Sequence, residues 1–149
     1  MGQPPQGLPV YPSGASFGEI VQLDSFAGKI RMQPDAQGRE QPVLDLWLTW
    51  KVLGSSDKPY DFAILPVAPD GQVARAATIQ PPFQDRYPMT CWNPGLGDLR
   101  DQVEVPLFKS QPGDWWVSFS LIDVKTGRTL EVITPEGQPD HQVGLGPFR

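Results

Sequence analysis

The sequence predicts an all-β protein: a two-sheet antiparallel sandwich of the immunoglobulin-like or jelly-roll-like kind, with about seven to nine strands. Two segments, Pro42–Leu53 and Trp115–Ile122, alternate apolar and polar side chains, which is the pattern of strands with one buried face. Other short apolar runs are separated by turn residues. The 18 prolines among 149 residues remove backbone donors and stop helices, so no window favours a helix.

The segment Pro42–Leu53 is the predicted central strand. Every second residue from Leu44 to Val52 is apolar, and the residues between them are polar apart from Trp47. The segment Trp115–Ile122 repeats this pattern, with Trp116 among its outward-facing residues. We expect the two apolar rows to pack against each other between facing sheets.

The start of the chain, residues 1–15, is predicted to be a Pro/Gly-rich linker or tail, and residues 16–149 are predicted to form a single domain. The first strand is predicted at Phe17–Leu23. The segment Ser25–Met32 is expected to continue it after a bend at Gly28.

The middle of the chain combines a hairpin with a long irregular segment. Tyr60–Val67 and Gln72–Ile79 are predicted strands, because a Pro-Asp-Gly turn separates them. Gln80–Arg100 is rich in proline and glycine, yet it carries aromatic side chains that are costly to leave in water. We therefore expect it to be a packed loop, a kind of segment that is often functional.

The last part of the chain contains four predicted strands. In order along the sequence they are Gln102–Phe108, Trp115–Ile122, Thr129–Ile133 and His141–Leu145.

Charge and composition exclude several partners. The net charge is −5 and the pI about 4.7, and the few Lys and Arg residues are scattered, whereas nucleic-acid binders present a basic patch. No apolar run is long enough to span a bilayer, so we expect no membrane insertion by this chain. One cysteine, Cys91, allows no internal disulfide.

The usual catalytic constellations are missing from the sequence, and we expect no cofactor and no metal. The single histidine, His141, is interpreted as a surface residue, and Cys91 as a small buried hydrophobe. One Cys and one His cannot supply a zinc site. Asp98 and Asp101 offer oxygen ligands for a hard cation such as Ca²⁺, although turn capping by these carboxylates is the favoured alternative.

The outward-facing tryptophans are the better indication of binding. Trp47 and Trp116 fall on polar rows, where an indole ring can stack on a sugar or contact a partner protein. The favoured alternative is that a loop such as Gln80–Arg100 covers them. The two rings can form one platform only if both strands belong to the same sheet, which the sequence leaves open.

A family resemblance follows from one loop motif and its surroundings. The stretch Tyr87-Pro-Met-Thr-Cys-Trp-Asn-Pro-Gly95 is followed by Asp101 and by the Pro-Gly-x-Trp sequence that ends at Trp115. Over roughly residues 17–145 the chain resembles the soluble C-terminal domain of bacterial membrane glycosyltransferase-like proteins. Those proteins are similar to dolichyl-phosphate-mannose protein mannosyltransferases.

The resemblance implies a soluble, extracytoplasmic and non-catalytic accessory domain, held at a membrane by parent sequence outside this chain. A glycan and the parent's own membrane domain are the implied partners. The candidate ligand-binding residues are Trp47, Trp116, Tyr87, Trp92 and Asp101. One alternative is a structural or protein-interaction sandwich without carbohydrate function. The least favoured alternative is a small hydrolase that uses the carboxylates of Asp85, Asp98 and Asp101.

Overall fold

Two antiparallel β-sheets packed face to face form the protein, in a computed structural model that describes residues 3–149. The predicted all-β sandwich is therefore confirmed, with eleven strands in this range where the sequence predicted seven to nine. The strands are β1 (Tyr11–Phe17), β2 (Val21–Pro34), β3 (Glu40–Val52), β4 (Asp61–Val67), β5 (Thr78–Gln80), β6 (Asp98–Pro106), β7 (Trp115–Asp123), β8 (Arg128–Thr129), β9 (Val132–Ile133), β10 (Pro139–Asp140) and β11 (Val143–Phe148).

The strands divide into a six-stranded sheet A and a five-stranded sheet B. Sheet A has the order β10-β9-β1-β2-β3-β6, and sheet B has the order β11-β7-β4-β5, with β8 paired to β7. Helical structure in the described range consists of short 3-10 turns between β5 and β6, at Pro82–Asp85, Met89–Cys91 and Pro94–Leu96. No helix within residues 3–149 has the length and apolar character needed to cross a bilayer. The finer immunoglobulin-like or jelly-roll-like assignment stays a prediction.

The two apolar rows predicted from the sequence meet in the core. Because β3 lies in sheet A and β7 in sheet B, their inner rows face each other across the sandwich. Every residue of the two rows is at most 4% exposed: Leu44, Leu46, Leu48, Trp50, Val52, Trp115, Val117, Phe119 and Leu121.

An aromatic cluster at the centre of the sandwich joins strands of both sheets. The ring of Trp50 in β3 stacks on Phe62 of β4, with ring centroids 5.7 Å apart and planes 15° apart. The ring centroid of Phe119 in β7 lies 5.8 Å from that of Trp50. Phe17 of β1 meets the Trp50 ring edge-on, with centroids 5.6 Å apart. Buried aromatic side chains contribute large apolar areas, so this cluster fixes how the two sheets are placed.

The N-terminal prediction is corrected, because β1 begins at Tyr11, inside the range interpreted as a linker. Ala15 is fully buried, and residues 11–17 pair with β2. The single strand predicted at Phe17–Leu23 is also wrong. Gly18 and Glu19 both take positive φ and reverse the chain, so Phe17 and Val21 face each other across a hairpin.

Three further strand boundaries differ from the prediction. The strand predicted at Gln72–Ile79 is reduced to β5 at Thr78–Gln80, which pairs antiparallel with β4. The strand predicted at Thr129–Ile133 is split into β8 in sheet B and β9 in sheet A, because the chain crosses between the sheets at this point. β6 begins at Asp98 instead of Gln102, since its first residues pair with β3 as far as Lys51.

Both ends of the described chain approach the same side of the sandwich. Leu8 and Tyr11 share a groove of about 290 Å³ with Pro147 and Arg149. The carbonyl oxygen of Arg149 accepts a hydrogen bond from the backbone N–H of Ile30 in β2 at 3.1 Å.

Candidate functional site

The two outward-facing tryptophans lie on opposite sides of the molecule. Trp47 belongs to β3 in sheet A and Trp116 belongs to β7 in sheet B, and each points away from the core. They therefore cannot form one platform for a ligand, which answers the question that the sequence left open.

Trp47 lies at the middle of the outer face of sheet A, where it is 8% exposed. Its neighbours across the sheet are Ala27 in β2 and Gln102 in β6. A groove of about 350 Å³ passes over this position, and Pro4 and Val10 of the N-terminal segment line it together with Trp47. Trp47 is thus largely buried, and the groove beside it is lined by the N-terminal segment together with Asp98 and Arg100 from the end of the range Gln80–Arg100.

The rest of this groove is polar. We call it the Trp47 groove and define it by the side chains of Trp47, Asp24, Ser25, Thr49, Asp98 and Arg100. The strand register explains why these polar side chains lie together, because Ser25, Thr49 and Arg100 stand side by side on β2, β3 and β6. Asp98 stands one outward position further along β6.

The charged groups of the Trp47 groove are available to a ligand. Asp98 and Arg100 are both exposed, and neither forms an ion pair with any residue in the range 3–149. The groove therefore offers two carboxylates, one guanidinium and two hydroxyl groups beside an indole ring. Such a set can donate and accept hydrogen bonds around a small polar molecule.

The outer face of sheet B has a different chemistry. Trp116 is 44% exposed, and its indole ring packs on Gly146, where a Cβ atom would lie 2.8 Å from the ring. The outward side chains of β4 from Ala63 to Val67, and those of β5 and β7, carry no charge. We call this surface the uncharged face and define it by Leu65, Val67, Ile79, Trp116, Ser118 and Ser120.

Trp92, a predicted ligand contact, is a core residue. Its side chain is 1% exposed and packs 6.3 Å from Trp50 and 5.9 Å from Phe83, measured between ring centroids. Its indole N–H donates to the carbonyl oxygen of Tyr87 at 3.1 Å. The side chain is enclosed on all sides, so the assignment of Trp92 as a ligand contact is corrected.

Tyr87 lies half-buried on the loop of residues 81–97. Its hydroxyl donates to the carbonyl oxygen of Cys91 at 3.3 Å, and its ring meets Phe83 edge-on at 5.8 Å. Tyr87 is not among the residues that line the Trp47 groove. Cys91 is exposed, contrary to the prediction, because Met89 and Trp92 occupy the buried positions of this turn.

Asp101 holds the loop in place instead of facing a ligand. It is 4% exposed on the inner row of β6, opposite Leu48. Its Oδ2 accepts the backbone N–H of Phe83 at 2.7 Å, and its Oδ1 accepts the backbone N–H of Gln102 at 2.8 Å. Burial raises the pKa of Asp101, and these two hydrogen bonds oppose the rise. The assignment of Asp101 as a ligand contact is therefore corrected as well.

The loop segment that Asp101 holds has an unusual backbone. Phe83, Gln84 and Asp85 take positive φ of 53°, 54° and 67°, a left-handed conformation that side chains other than glycine rarely adopt. Such a conformation persists only when its surroundings impose it. The contact with the Asp101 carboxylate is one such constraint.

The carboxylates suggested for a cation or for hydrolysis do not come together. Asp98 and Asp101 are three residues apart on one strand, so their side chains point to opposite faces of sheet A. Within residues 3–149 no three His, Cys, Asp or Glu side chains are arranged to hold a metal ion. Sequence reasoning missed one titratable residue, Asp61, whose pKa is raised by burial and by the charge of Asp85. Neither Asp61 nor Asp85 lines the Trp47 groove.

The fold and this site define a class of protein: an antiparallel β-sandwich with a polar, tryptophan-bearing groove on one outer face and an uncharged apolar face on the other. Comparison with family models, with curated proteins and with solved structures found no match for the chain. The resemblance to the domains of glycosyltransferase-like proteins stays a prediction.

Proposed function

We propose that this chain is a non-catalytic accessory domain that binds a saccharide in the Trp47 groove. The observation that carries the proposal is the pairing of Trp47 with the free charged groups of Asp98 and Arg100 in one groove. A sugar ring combines apolar C–H faces with many hydroxyl groups, which suits an indole ring surrounded by hydrogen-bonding side chains.

The size of the groove agrees with a small polar ligand. A volume of about 350 Å³ lies at the lower end of ordinary ligand sites, which run from roughly 300 to 1,000 Å³. One or two sugar rings fill such a space. Because Trp47 is 8% exposed, little of its ring is open to a ligand, and the polar side chains supply most of the contact.

The carboxylates that the sequence offered for hydrolysis, Asp98 and Asp101, do not form a pair in the groove, and this supports a binding role without catalysis. A glycosidase needs two carboxyl groups on either side of one bond, roughly 5 to 9.5 Å apart. Asp98 lines the groove, while Asp101 is buried on the opposite face of the same strand. Asp24 is the other carboxylate of the groove, and it accepts a hydrogen bond from Gln22.

We further propose that the domain is extracytoplasmic and belongs to a membrane glycosyltransferase-like protein. The motif from Tyr87 to Gly95 and the downstream Asp101 support this, on resemblance alone. The native reading frame tests it directly. Hydrophobic segments of membrane-spanning length before Met1 support the proposal, and a frame without any such segment on either side contradicts it.

A saccharide titration tests the binding proposal. Neutral and charged mono- and disaccharides are titrated against the full chain by isothermal calorimetry and by tryptophan fluorescence. We expect Arg100→Ala and Asp98→Asn to weaken binding about tenfold or more, because each removes a charge-assisted hydrogen bond.

The matched control is Arg128→Ala, which removes an exposed arginine at the far end of sheet B. It should bind as the unaltered chain does. If no saccharide binds, or if Arg128→Ala weakens binding as much as Arg100→Ala, the Trp47 groove is not a sugar site. The structural or protein-interaction alternative is then preferred.

A further inference from the structure

We propose that residues 3–10 form a strap that closes over the outer face of sheet A at Trp47 and lifts to open the Trp47 groove. The strap is inferred from the burial of that face, from the turn within the segment and from how weakly the segment is attached. Its effect on a ligand rests on the saccharide binding proposed above, but the test of the strap needs no ligand.

Two outward side chains of sheet A are buried at the place where the strap lies. Ala27 is 1% exposed, and Trp47, which stands directly opposite it, is 8% exposed. The indole ring can rest on the short side chain of Ala27, but neighbours in the same sheet reach only the edges of such a ring. Because so little of the whole ring meets water, a cover from outside the sheet is required.

Residues of the strap are the ones in position to supply this cover. Gln3, Pro4 and Val10 line the groove beside Trp47 and Ala27, and every other residue that lines it belongs to β2, β3 or β6. Pro4 is half-buried, although it lies near the start of the described chain. Proline-rich segments commonly dock on aromatic side chains in this way, since they are extended before they bind.

A tight turn explains how the strap reaches the groove twice. The backbone N–H of Leu8 donates to the carbonyl oxygen of Pro5 at 3.2 Å, and Gly7 takes a φ of 87°. A positive φ at the third residue of a four-residue turn is typical of a type II turn, where glycine is strongly preferred. Because the chain reverses here, Pro4 is carried back toward Val10, and both line the same groove.

Little holds the strap to the sheet. Pairing of this part of the chain with β2 begins at Tyr11, and within the described range the one backbone hydrogen bond of residues 3–10 joins Leu8 to Pro5. The segment contains three prolines, which have no N–H to donate, and it carries no charged side chain. All its residues except Pro4 and Leu8 are exposed. A segment with so few buried contacts opens at a low cost in free energy.

The hinge of the strap is fixed by the strand that follows it. The ring centroid of Tyr11 in β1 lies 5.5 Å from that of Phe26 in β2, and Phe26 meets Phe148 of β11 edge-on at 5.9 Å. These contacts tie the start of β1 to both sheets. Lifting therefore concerns residues 3–10 and leaves the sandwich unchanged.

An open strap uncovers the face of the Trp47 ring and removes one wall of the groove. A ligand that needs the open form binds with an apparent affinity reduced by the fraction of molecules that are open. Variants that favour the open form should therefore bind the proposed saccharide more tightly. The strap would thus regulate access to the groove from within the chain.

Acrylamide quenching of tryptophan fluorescence tests the strap directly. All proteins carry Trp116→Phe, because Trp116 is 44% exposed, whereas the three tryptophans other than Trp47 and Trp116 are at most 1% exposed. Gly7→Ala disfavours the turn through its positive φ alone, since a Cβ atom there meets nothing within 4 Å. We expect it to raise the quenching constant about twofold or more. Pro4→Ser, which removes the apolar contact, should act in the same direction.

The matched control is Gly38→Ala in the turn between β2 and β3, where φ is 79° and a Cβ atom also meets nothing within 4 Å. It should leave quenching unchanged, and circular dichroism checks that each variant is folded. Adding Trp47→Phe should abolish the rise. The strap is overturned if neither Gly7→Ala nor Pro4→Ser raises quenching, if Gly38→Ala raises it equally, or if the rise persists without Trp47.

Saccharide titration of the same variants separates the strap from the binding proposal. If quenching rises and no saccharide binds, the strap stands and saccharide binding fails. Where a saccharide does bind, tighter binding by Gly7→Ala than by Gly38→Ala supports control of the groove by the strap. Weaker binding by Gly7→Ala overturns that control, because it would make the closed strap a part of the ligand site.

Discussion

The backbone N–H of Phe83 donates a hydrogen bond to Oδ2 of Asp101 across 2.7 Å, and this bond joins the loop between β5 and β6 to the inner face of sheet A. Phe83 begins the left-handed segment of the loop, and its ring packs on Trp92, which reaches the core. One carboxylate thus connects an unusual backbone segment, a loop and the central aromatic cluster.

Removing this carboxylate should destabilise the protein. In Asp101→Ala the partly buried N–H groups of Phe83 and Gln102 lose their acceptor, so we expect the free energy of unfolding to fall by about 1–3 kcal/mol. Urea unfolding measures this change. Asp98→Ala is the control, because Asp98 is exposed on the same strand, and it should change stability by less than about 0.5 kcal/mol. Equal losses in the two variants would contradict the role given to Asp101.

The titration of the Asp101 carboxyl group should make the free energy of unfolding depend on pH. Burial raises its pKa above the ordinary value of 3.8, so above pH 3.8 the folded chain retains a proton that the unfolded chain has released. Its contribution to stability is complete below pH 3.8 and is lost as the pH rises through the folded pKa. Urea midpoints against pH should therefore fall over this window relative to Asp101→Asn. A constant difference between the two proteins would refute the expectation.

Gly28 in β2 has to be a glycine because of Phe148 in β11. A Cβ atom on Gly28 would overlap Cδ1 of Phe148, inside the core between the two sheets. We expect Gly28→Ala to cost about 1–3 kcal/mol through overpacking. Gly144→Ala is the matched control, since it lies in a strand and a Cβ atom there meets nothing within 4 Å. Thermal unfolding at one protein concentration compares the two, and similar melting temperatures would count against this packing.

Two tryptophans predicted to contact ligand should behave differently on truncation. Trp92 is 1% exposed, so Trp92→Ala should lower the free energy of unfolding by about 3–5 kcal/mol. Trp116 is 44% exposed, so Trp116→Ala should cost less than about 1 kcal/mol. Denaturant unfolding of both variants measures the difference. The core assignment of Trp92 fails if its removal is as mild as that of Trp116.

The ion pair between Arg31 and Asp45 should contribute more than an ordinary surface pair. Arg31 Nε lies 2.6 Å from Oδ2 of Asp45, whose residue is 8% exposed. Arg31→Met leaves this carboxylate buried without a partner and should cost about 1–2 kcal/mol, less than a fully buried pair because Arg31 is partly exposed.

Arg39→Met is the control for this pair. Arg39 faces Asp35 with a side chain that is 73% exposed, so its removal should change stability by less than about 0.5 kcal/mol. Chemical unfolding at low and high salt distinguishes the two pairs. A cost for Arg31→Met that disappears at high salt would mean that this pair, too, is a screened surface interaction.

The sequence predicted the sandwich because its strongest pattern is local. Alternation in β3 and β7 places Trp50 and Trp115 on the buried face of each strand, irrespective of which strands pair with it. Both residues are at most 1% exposed. Which sheet each strand joins depends on pairing between distant segments, which alternation does not report. The opposite placement of Trp47 and Trp116 was therefore not predictable from their rows.

The candidate site was harder to predict for a related reason. Gly95 and Gly97 led us to extend the irregular loop to Arg100, so Asp98 and Asp101 were treated as loop residues that can meet. Because β6 begins at Asp98, alternation along the strand separates them instead. The groove beside Trp47 also depends on residues outside its strand, such as Pro4, which lies in the predicted linker.

The N-terminal segment passes close to the end of the chain, because Leu8 and Tyr11 share a groove with Pro147 and Arg149. A short peptide could join them into a ring without moving either sheet, and the exposed turn at residues 135–137 could be opened in its place. Such a circular permutant would start and finish at a new point while every strand kept its neighbours. The fold depends on the contacts between strands, and the order of the strands along the chain can change without altering those contacts.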